Sequence, residues 1–391
     1  MKICDPIKTA SFAHYKHVGL EQIVKWPGGK RKELKYIIPN LPVNFENYYE
    51  PFVGGGSVFA TIKARNLFIN DKSQELINIY KIIQSTERTD FFKALHEIQY
   101  NWTILGKVAE KNNSFFIRLY KSYSMNKIDI AQVTNELFEF ILKHSDEFNG
   151  MFSSIFNFSI ENFIKEIKKN LIRKIKRMKE IELKKNKLPD SDIIDNIETA
   201  LKSAFYMHFR YLYNTNGKYD LNKAFATAIF LFIRNFAYSG MFRYNSKGEF
   251  NVPYGGIGYN KKNFGKKIQY LESARLQKHL ENTIIENKDF EEFLDKNHVT
   301  NKDFIFLDPP YDTEFSTYAQ NKFNQNDQKR LANYLTQKTK AKWMMIIKNT
   351  ELILNLYTGK NLNIEMFNKT YLVSFMNRNN KNSKHLLIRN Y

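Results

Sequence analysis

The stretch FIFLDPPYDTEF, residues Phe304–Phe315, is the part of the sequence that decides the fold class. Residues Phe304–Leu307 form a short apolar run, which is typical of a strand buried on both faces of a sheet. The acid and two prolines that follow end this strand, because proline donates no ladder hydrogen bond and disfavours helical geometry in the residue before it. Asp308 and Tyr311 are therefore predicted at the carboxyl end of a buried strand, where open α/β sheets bind ligands.

A second sheet-like segment lies between residues 26 and 71 and contains the glycine-rich sequence EPFVGGGSVF. Its predicted elements are a strand at Tyr48–Phe52, a turn at Gly54–Gly56, a helix at Ser57–Ala64 and a strand at Leu67–Ile69. This succession is typical of one half of a doubly wound sheet.

The remainder of the chain predicts an interrupted α/β domain. Residues 86–236 have long helical patterns, Ser239–Asn260 has a hairpin pattern around an Asn-Ser-Lys-Gly turn, and strand-like segments return afterwards. These later strands are expected at Thr283–Glu286, Trp343–Ile347 and His385–Tyr391. We predict a doubly wound Rossmann-like domain formed by residues 1–85 and 262–391, with a mostly helical insert carrying a β-hairpin at 86–261.

One helix of the insert is strongly amphipathic. Between Ile164 and Ile181 apolar residues recur at helical spacing, and lysines and arginines occupy the other positions. For any single lysine here, a solvated surface position and a phosphate contact remain equally open.

The charge of the chain indicates a polyanionic partner. There are 60 lysines and arginines against 40 acids, which gives a formal net charge of +20, and 15% of the residues are aromatic. Phosphate contact and base stacking use these residue types, so nucleic acid is the expected partner. Cys4 is the single cysteine, so we expect a reducing cytoplasm, no disulfide and no metal site built on thiolates. With no apolar stretch of 18 to 20 residues, we also expect no membrane insertion.

The glycine loop and the acid that follows it predict a nucleoside site. Glycines between a strand and a helix allow close approach of a ligand, and Asp71 ends the next strand, where an acid can accept hydrogen bonds from ribose hydroxyls. The full G-x-G-x-x-G pattern is absent, which favours a nucleoside without a pyrophosphate. Lys30 is followed by Arg31 rather than Ser or Thr, so this is not a nucleotide-triphosphatase loop. A solvent-exposed Lys30 is the simplest expectation, although it could meet a carboxylate.

Asp308 and Tyr311 suit chemistry on an amino group. The Asp308 carboxylate and a proline backbone carbonyl could each accept one hydrogen of an exocyclic NH2 group, while Tyr311 could stack on the attached ring. Methylation of a base by a sulfonium donor fits this set, since it requires positioning and electrostatics but no covalent nucleophile or metal. An ordinary turn is the alternative explanation of Asp-Pro-Pro-Tyr alone.

Five motifs occur in a defined order: KWPGGK (25–30), EPFVGGGSVF (50–59), IND (69–71), FRYNSKGEFNVPYG (242–255) and LDPPYD (307–312). Together they resemble the Dam-like, α-group family of DNA adenine-N6 methyltransferases, which use S-adenosyl-L-methionine (SAM) and release S-adenosylhomocysteine. The resemblance implies a methyltransferase domain whose insert recognises double-stranded DNA. It also implies that the target adenine is flipped out of the stack, because N6 inside a base pair is inaccessible.

The resemblance assigns roles to individual residues. The residues implied to bind SAM are Trp26, Lys30, Phe52, Gly54, Gly56, Ser57, Asp71, Asp289, Phe290 and Asp308. Those implied to hold the adenine are Asp308, Pro309, Pro310 and Tyr311. Those implied to lie on or near the DNA-reading surface are Lys25, Tyr238, Arg243, Asn245 and Pro253.

Two departures from the family pattern concern specificity. Gly256 stands where relatives that recognise GATC carry a basic residue, and Ser239 stands where asparagine is usual, so a site other than GATC is expected. A cognate restriction endonuclease, a monomeric state and a cytoplasmic, nucleoid-associated location are further expectations. The alternatives are methylation of another amino group, such as an RNA base or a glutamine amide, and a DNA-binding relative without activity.

Overall fold

The computed structural model describes residues 2–3, 19–150, 158–311, 323–370 and 382–391. The chain divides into two compact units. One comprises residues 1–86 and 271–391 and is called the α/β unit; the other comprises residues 87–270 and is called the helical unit.

The α/β unit is built on a mixed, mostly parallel sheet. Its strands are β1 (Lys2–Ile3), β2 (Asn47–Glu50), β3 (Asn66–Asn70), β4 (Thr283–Glu286), β5 (Phe304–Leu307), β6 (Lys342–Lys348), β7 (Asn363–Thr370) and β8 (Asn382–Arg389). Their order is β1-β7-β8-β6-β5-β2-β3-β4, and β8 alone runs opposite to its neighbours in the described sheet. This arrangement is consistent with a Rossmann-like methyltransferase fold.

The central strands are covered on both faces. All four residues of β5 are buried, as the apolar run predicts, and so are the five central residues of β6. Alternate residues of these strands, such as Ile305 and Trp343, pack with residues of helices that follow β4, β5 and β6. The predicted β4 and β5 are confirmed at their stated bounds, while β2, β3, β6 and β8 are found with ends shifted by one to three residues. Strands β1 and β7 were not predicted.

The described helices, in chain order, are α1 (Leu34–Ile37), α2 (Gln74–Gln84), α3 (Arg88–Lys111), α4 (Asn113–Ser124), α5 (Ile130–Lys143), α6 (Ser145–Gly150), α7 (Ile160–Glu182), α8 (Asp190–Asn214), α9 (Asn216–Tyr219), α10 (Lys223–Phe236), α11 (Phe264–Glu272), α12 (Ala274–Glu281), α13 (Phe290–Lys296), α14 (Gln325–Asn333) and α15 (Glu351–Tyr357). None of them is long and apolar enough to cross a membrane.

The helix predicted at Ser57–Ala64 is wrong. The chain makes only a 3-10 turn at Phe59–Thr61 and is already extended at Ile62. The β-branched residues of this segment favour helix only weakly, and the Thr61 hydroxyl donates instead to the carbonyl of Val58 at 2.7 Å. A single 3-10 turn, and no α-helix, therefore directly follows the glycine turn.

The second boundary of the helical unit also differs from the prediction. The sequence placed it after residue 261, whereas the unit extends to Tyr270. The cause is the packing of Phe264, at the start of α11, whose ring centroid lies 5.6 Å from that of Phe236 and 6.0 Å from that of Phe232. These aromatic contacts hold the start of α11 in the helical unit.

The predicted hairpin is present in an irregular form. Two isolated antiparallel bridges, Ala237 with Tyr254 and Tyr244 with Phe250, replace continuous strands. The turn between them closes through a 3.0 Å hydrogen bond from the Gly248 amide to the Asn245 carbonyl.

Candidate active site

Three neighbouring strands of the α/β unit bring the predicted site residues to one edge of the sheet. β5, β2 and β3 are adjacent and parallel, and they end at Leu307, Glu50 and Asn70. Asp308, the glycine loop and Asp71 follow directly after these strands. The carboxyl edge of the sheet thus collects residues that lie far apart in the sequence, as the strand order requires.

Lys30 is buried and contacts Asp308. The side chain of Lys30 is 3% exposed, and its Nζ donates to Asp308 Oδ2 and, at 2.7 Å, to the Gly28 carbonyl. The expectation of a solvent-exposed Lys30 is therefore wrong. Burial raises the pKa of Asp308 above its usual value, and the Lys30 ammonium opposes that shift. Lys30 thus favours the ionised form of Asp308, which can only accept hydrogen bonds.

A second ion pair acts on the same carboxylate. Glu33 is buried, and its Oε1 lies 2.9 Å from Nζ of the largely buried Lys369, on β7. The positive charge of Lys369 lowers the pKa of Asp308, although less than Lys30 does, and the negative charge of Glu33 raises it. Sequence reasoning missed both residues. β7 was not predicted, so neither Lys369 nor its pairing with Glu33 was expected at the site.

Tyr311 lies beside the first of these lysines. Its ring centroid is 5.7 Å from Lys30 Nζ and 5.4 Å from the ring centroid of buried His385, on β8. Burial, together with the charges of Lys369 and Lys30, lowers the pKa of His385 to about 3, so its imidazole is neutral at physiological pH. His385 thus adds no positive charge beside Tyr311, and the cations near Asp308 are Lys30 and Lys369.

The two proline carbonyls differ in their surroundings. Gln328 Nε2, on α14, donates to the Pro310 carbonyl at 2.8 Å. The Pro310 carbonyl is therefore engaged by the protein itself. Pro309 is buried and Pro310 is exposed.

The glycine loop requires its glycines. Gly54 and Gly56 have φ of +49° and +75°. A Cβ on Gly56 would lie 2.6 Å from the Tyr80 hydroxyl, and one on Gly55 would lie 2.3 Å from the backbone carbonyl of Val24. Neighbouring atoms thus pack directly against the loop backbone, so any side chain would displace them.

Asp71 holds this loop. Its Oδ2 accepts a hydrogen bond from the Gly54 amide at 3.0 Å, and its Oδ1 accepts one from the Ser73 amide at 2.9 Å. Burial raises the pKa of Asp71 to about 6, while these two amides oppose the shift. The Lys72 amide acts on the pKa in the same direction. A carboxylate has about four acceptor sites, so Asp71 can still accept from a ligand hydroxyl.

Glu50, the last residue of β2, was missed by sequence reasoning. It is 2% exposed, and its Oε2 accepts a 2.7 Å hydrogen bond from the Tyr48 hydroxyl. Burial raises the pKa of Glu50 to about 8. An acid ending a strand immediately before a glycine turn was the available signal, because it places a carboxyl group at the ligand edge of the sheet.

An aromatic group lies beside the loop. The Phe52 ring centroid is 5.7 Å from that of buried Phe290, and Phe323, which sequence reasoning missed, packs edge-on against Phe52 at 5.5 Å. The structure thus brings Phe52 and Phe290 together. Asp289 caps α13 by accepting from the Glu291 amide at 3.1 Å and pairs with Arg330 at 2.7 Å.

The other predicted SAM residues are less directly grouped. The Ser57 hydroxyl, which is nearly buried, donates to Gln22 Oε1 at 3.0 Å. Trp26 lies over the loop, with its Cδ1 3.1 Å from where a Cβ of Gly54 would be. Both side chains therefore border the loop backbone.

The predicted DNA-reading residues fall in both units. Lys25 is exposed in the α/β unit, whereas Tyr238, Arg243 and Pro253 are exposed in the helical unit. Arg243 Nε donates to Asn251 Oδ1 at 2.8 Å. Asn245 instead shapes the hairpin turn, with its Oδ1 accepting from the amides of residues 247 and 249.

The comparisons with known proteins agree with this geometry. The family described as D12 class N6 adenine-specific DNA methyltransferase matches residues 26–200 and 185–373. The chain is 25% identical over 362 residues to the type II methyltransferase M.MjaIII of Methanocaldococcus jannaschii, a match covering 90% of this chain and 88% of that protein.

Two shorter matches cover parts of the chain. The type II methyltransferase M.CviBI of Paramecium bursaria Chlorella virus NC1A is 35% identical over 165 residues, which are 41% of this chain and 60% of that protein. The DNA adenine methylase of Haemophilus influenzae is 33% identical over 145 residues, or 34% and 46% of the two chains.

A mostly parallel sheet with a glycine loop and Asp-Pro-Pro-Tyr at its carboxyl edge is consistent with the Rossmann-like class of methyltransferases. The chain belongs to the D12 class N6 adenine-specific DNA methyltransferase family, and it is accordingly a SAM-dependent enzyme of DNA adenine methylation. Type II modification enzymes are among its relatives.

Proposed function

We propose that this protein methylates N6 of a flipped adenine at a specific site in double-stranded DNA, with SAM as donor. The observation that carries the proposal is the contact of Lys30 with Asp308, which joins the KWPGGK and DPPY motifs across 278 residues of sequence. It brings a cation and an acceptor-only carboxylate together at the ligand edge of the sheet, beside an aromatic ring.

The residues present fit SAM. The crowded glycine backbone offers close approach, Asp71 keeps lone pairs for hydroxyl groups, and Phe52 with Phe290 offers apolar surface for a purine. We assign cofactor binding to Trp26, Lys30, Phe52, Gly54, Gly56, Ser57, Asp71, Asp289, Phe290 and Asp308. When bound, SAM supplies an electrophilic methyl group.

The chain's own residues would position the acceptor nitrogen. Lys30 occupies Asp308 Oδ2, so we assign Oδ1 to one hydrogen of the adenine amino group and the Pro309 carbonyl to the other. Holding both hydrogens favours build-up of the nitrogen lone pair out of the ring plane, and Tyr311 would stack on the base. Pro310 would shape the strand end rather than contact the amino group, because its carbonyl accepts from Gln328.

The helical unit would recognise the target. We infer that residues 87–270 form the target-recognition domain and that Tyr238, Arg243, Asn245 and Pro253 lie on or near its DNA-reading surface, together with Lys25 of the α/β unit. Arg243 suits a guanine edge, which offers two acceptors. Because Asn245 is engaged in the turn, its part would be to present Arg243 rather than to read a base.

Backbone conformation supports a specificity other than GATC. Gly256 has φ of +81°, a value at which a basic residue would be strained. Ser239 has φ of +52°, which asparagine adopts more readily than serine. Of the two departures, only Gly256 therefore supports a backbone conformation that the usual residue would disfavour.

The type II names of the relatives support a partner restriction endonuclease of the same specificity. We further propose action as a monomer on cytoplasmic, nucleoid-associated DNA.

Single-molecule sequencing of genomic DNA from methylation-free cells expressing the protein tests the proposal. N6-methyladenine in one recurring motif is expected. The Asp308→Ala variant should lose this modification while SAM binding stays measurable, and robust methylation by it would refute the assigned role. Methylation of RNA but not DNA would favour the RNA alternative, and no modification by a folded, SAM-binding protein would favour an inactive relative.

A further inference from the structure

We propose that one face of α7 is a phosphate-contact surface for double-stranded DNA. This basic face is defined by Lys165, Lys169, Arg173 and Lys176, and nothing in the motif pattern assigns it a role. The proposal rests on the proposed function in that its partner is the DNA that the enzyme methylates.

The positive charge of the helical unit is concentrated on this element. α7 itself carries four acids and eight cations, namely Lys165, Lys168, Lys169, Arg173, Lys174, Lys176, Arg177 and Lys179, and Lys184, Lys185 and Lys187 follow it. The neighbouring α8 carries four acids and only two cations, Lys202 and Arg210. A general enrichment of lysine in the sequence would not give two packed helices such different net charges.

The cations of the basic face are aligned. At about 100° per residue, the four positions fall within a sector of about 80° and extend over about 17 Å of helix axis. The buried residues of α7, which include Phe163, Ile167, Leu171 and Met178, lie on the opposite side. All four cations of the basic face are exposed. A straight row of cations matches the regular charge of a DNA strand, about one phosphate per 3.4 Å.

The acids near the basic face leave its charge largely available. Lys169 pairs with Glu166 at 3.1 Å, and its side chain is 60% exposed, so this ion pair contributes little and can be exchanged for a phosphate. Within the described residues, Arg173 donates to the neutral Asn170 at 3.1 Å and forms no ion pair. Among the described contacts, Lys165 and Lys176 form no ion pair.

The packing of α7 favours DNA over an anionic membrane. A membrane-surface helix has to insert its apolar face between lipids. The apolar face of α7 is instead packed inside the helical unit, where Ile167, Leu171 and Ile175 are wholly buried. Only the charged side is available, and charge alone suffices for phosphate contact.

The test is the salt dependence of DNA binding by the full-length protein. In one variant the four residues of the basic face are replaced by glutamine, which retains helix propensity. The matched control replaces four exposed lysines of α3 and α5 by glutamine: Lys93, Lys107, Lys111 and Lys143. Both variants lose the same net charge, and the site motifs are unchanged in each.

Removal of four phosphate contacts should reduce the slope of log K against log salt by about 3 to 4, and the loss of affinity should be similar for duplexes with and without the methylation site. SAM binding and kcat at saturating DNA should stay at wild-type values. The control variant should change the slope by less than about 1. Equal slopes in the two variants, or a loss confined to the methylation site, would overturn the proposal.

The same measurements separate this inference from the proposed function. If the wild-type protein methylates DNA and the basic-face variant behaves like its control, only the surface assignment fails. If the wild-type protein leaves DNA unmodified while the slopes differ as expected, the surface assignment stands and the proposed function fails.

Discussion

Lys369 Nζ lies 2.9 Å from Glu33 Oε1, and the charges of both residues act on Asp308, which Lys30 contacts directly. Two cations and two acids are thus grouped at the end of β5. Breaking a buried ion pair is costly because it leaves one charge unpaired, whereas removing both partners is better tolerated. The pair can therefore be tested by its effect on the ionisation of Asp308.

The Lys369→Met variant should lose activity at a higher pH than wild type. Removal of a positive charge that lowers the pKa of Asp308 raises that pKa further, and the ionised carboxylate is the form that accepts the amino hydrogens. The acid limb of the kcat/KM profile should move up by about one pH unit. Methylation of a duplex substrate across the acidic range measures this shift.

The control is the double variant Glu33→Gln with Lys369→Met. Glu33 and Lys369 shift the pKa of Asp308 in opposite directions, so the acid limb of the double variant should lie closer to wild type than that of Lys369→Met. A double variant shifted further than the single one would show that the pair acts through packing rather than charge.

The Glu50→Gln variant should change how stability depends on pH. The pKa of Glu50 is raised from 4.5 to about 8 in the folded protein, so between these values the native state binds more protons than the unfolded state. The unfolding free energy of wild type then falls as pH rises through this window. Glutamine does not titrate. The unfolding free energy of the variant minus that of wild type should therefore increase by at least about 2 kcal/mol from pH 5 to pH 9.

Urea unfolding at pH 5, 7 and 9 measures this difference. Glu46→Gln is the matched control, because Glu46 is exposed just before β2 and pairs with Lys302 at 3.4 Å. Parallel pH dependence in wild type and Glu50→Gln would contradict a neutral, buried Glu50.

The Gly55→Ala variant should damage the glycine loop. The added Cβ would lie 2.3 Å from the Val24 carbonyl oxygen, a backbone atom that can move only if the neighbouring backbone moves with it. We expect a loss of stability of about 1–3 kcal/mol and a drop in SAM affinity of at least about tenfold. Calorimetric titration with SAM and urea unfolding provide the two measurements.

Gly258→Ala is the corresponding control, since a Cβ at Gly258 meets no atom within 4 Å. It should bind SAM as wild type does. If Gly55→Ala bound SAM with unchanged affinity, the glycine loop would not be part of the SAM-binding site.

The Arg243→Ala variant should reduce discrimination between DNA sequences. Contacts to base edges specify sequence, whereas phosphate contacts position the protein. We expect a loss of about 1–3 kcal/mol at one base pair of the site, with a change of salt slope of about 1 or less. Binding to a set of duplexes with single base changes measures it.

Lys247→Ala, in the exposed turn of the same hairpin, serves as control and should affect all sequences alike. An equal loss on every duplex for Arg243→Ala would assign that residue to phosphate contact.

The sequence predicted the sheet core because its signals are local. The run Phe304–Leu307 and the prolines after it define β5 without reference to the rest of the chain. β7 was missed because polar and apolar residues alternate only over Asn363–Met366, and the polar run Asn368–Thr370 ends the pattern. Its partner strand β8 fixes it, and that pairing is a tertiary property.

The site was predictable as motifs but not as contacts. Asp308, Tyr311 and the glycine loop were located by pattern, whereas the burial of Lys30 and the Glu33–Lys369 pair depend on which strands become neighbours. Asp71 was expected to face a ligand and is found hydrogen-bonded to Gly54, because a carboxylate beside free amides satisfies them. The chemistry that a residue can perform is evident from the local sequence, whereas its hydrogen-bond partners depend on the tertiary structure.

The position of β2 and β3 in the sheet has a consequence for synthesis of the chain. These strands are made first, yet β2 pairs with β5 and β3 pairs with β4, which leave the ribosome more than 200 residues later. At about 5–20 residues per second, the early strands wait at least about ten seconds for their neighbours. A newly made chain therefore exposes unpaired strand edges throughout translation of the helical unit, and its requirement for chaperones should be greatest in that interval.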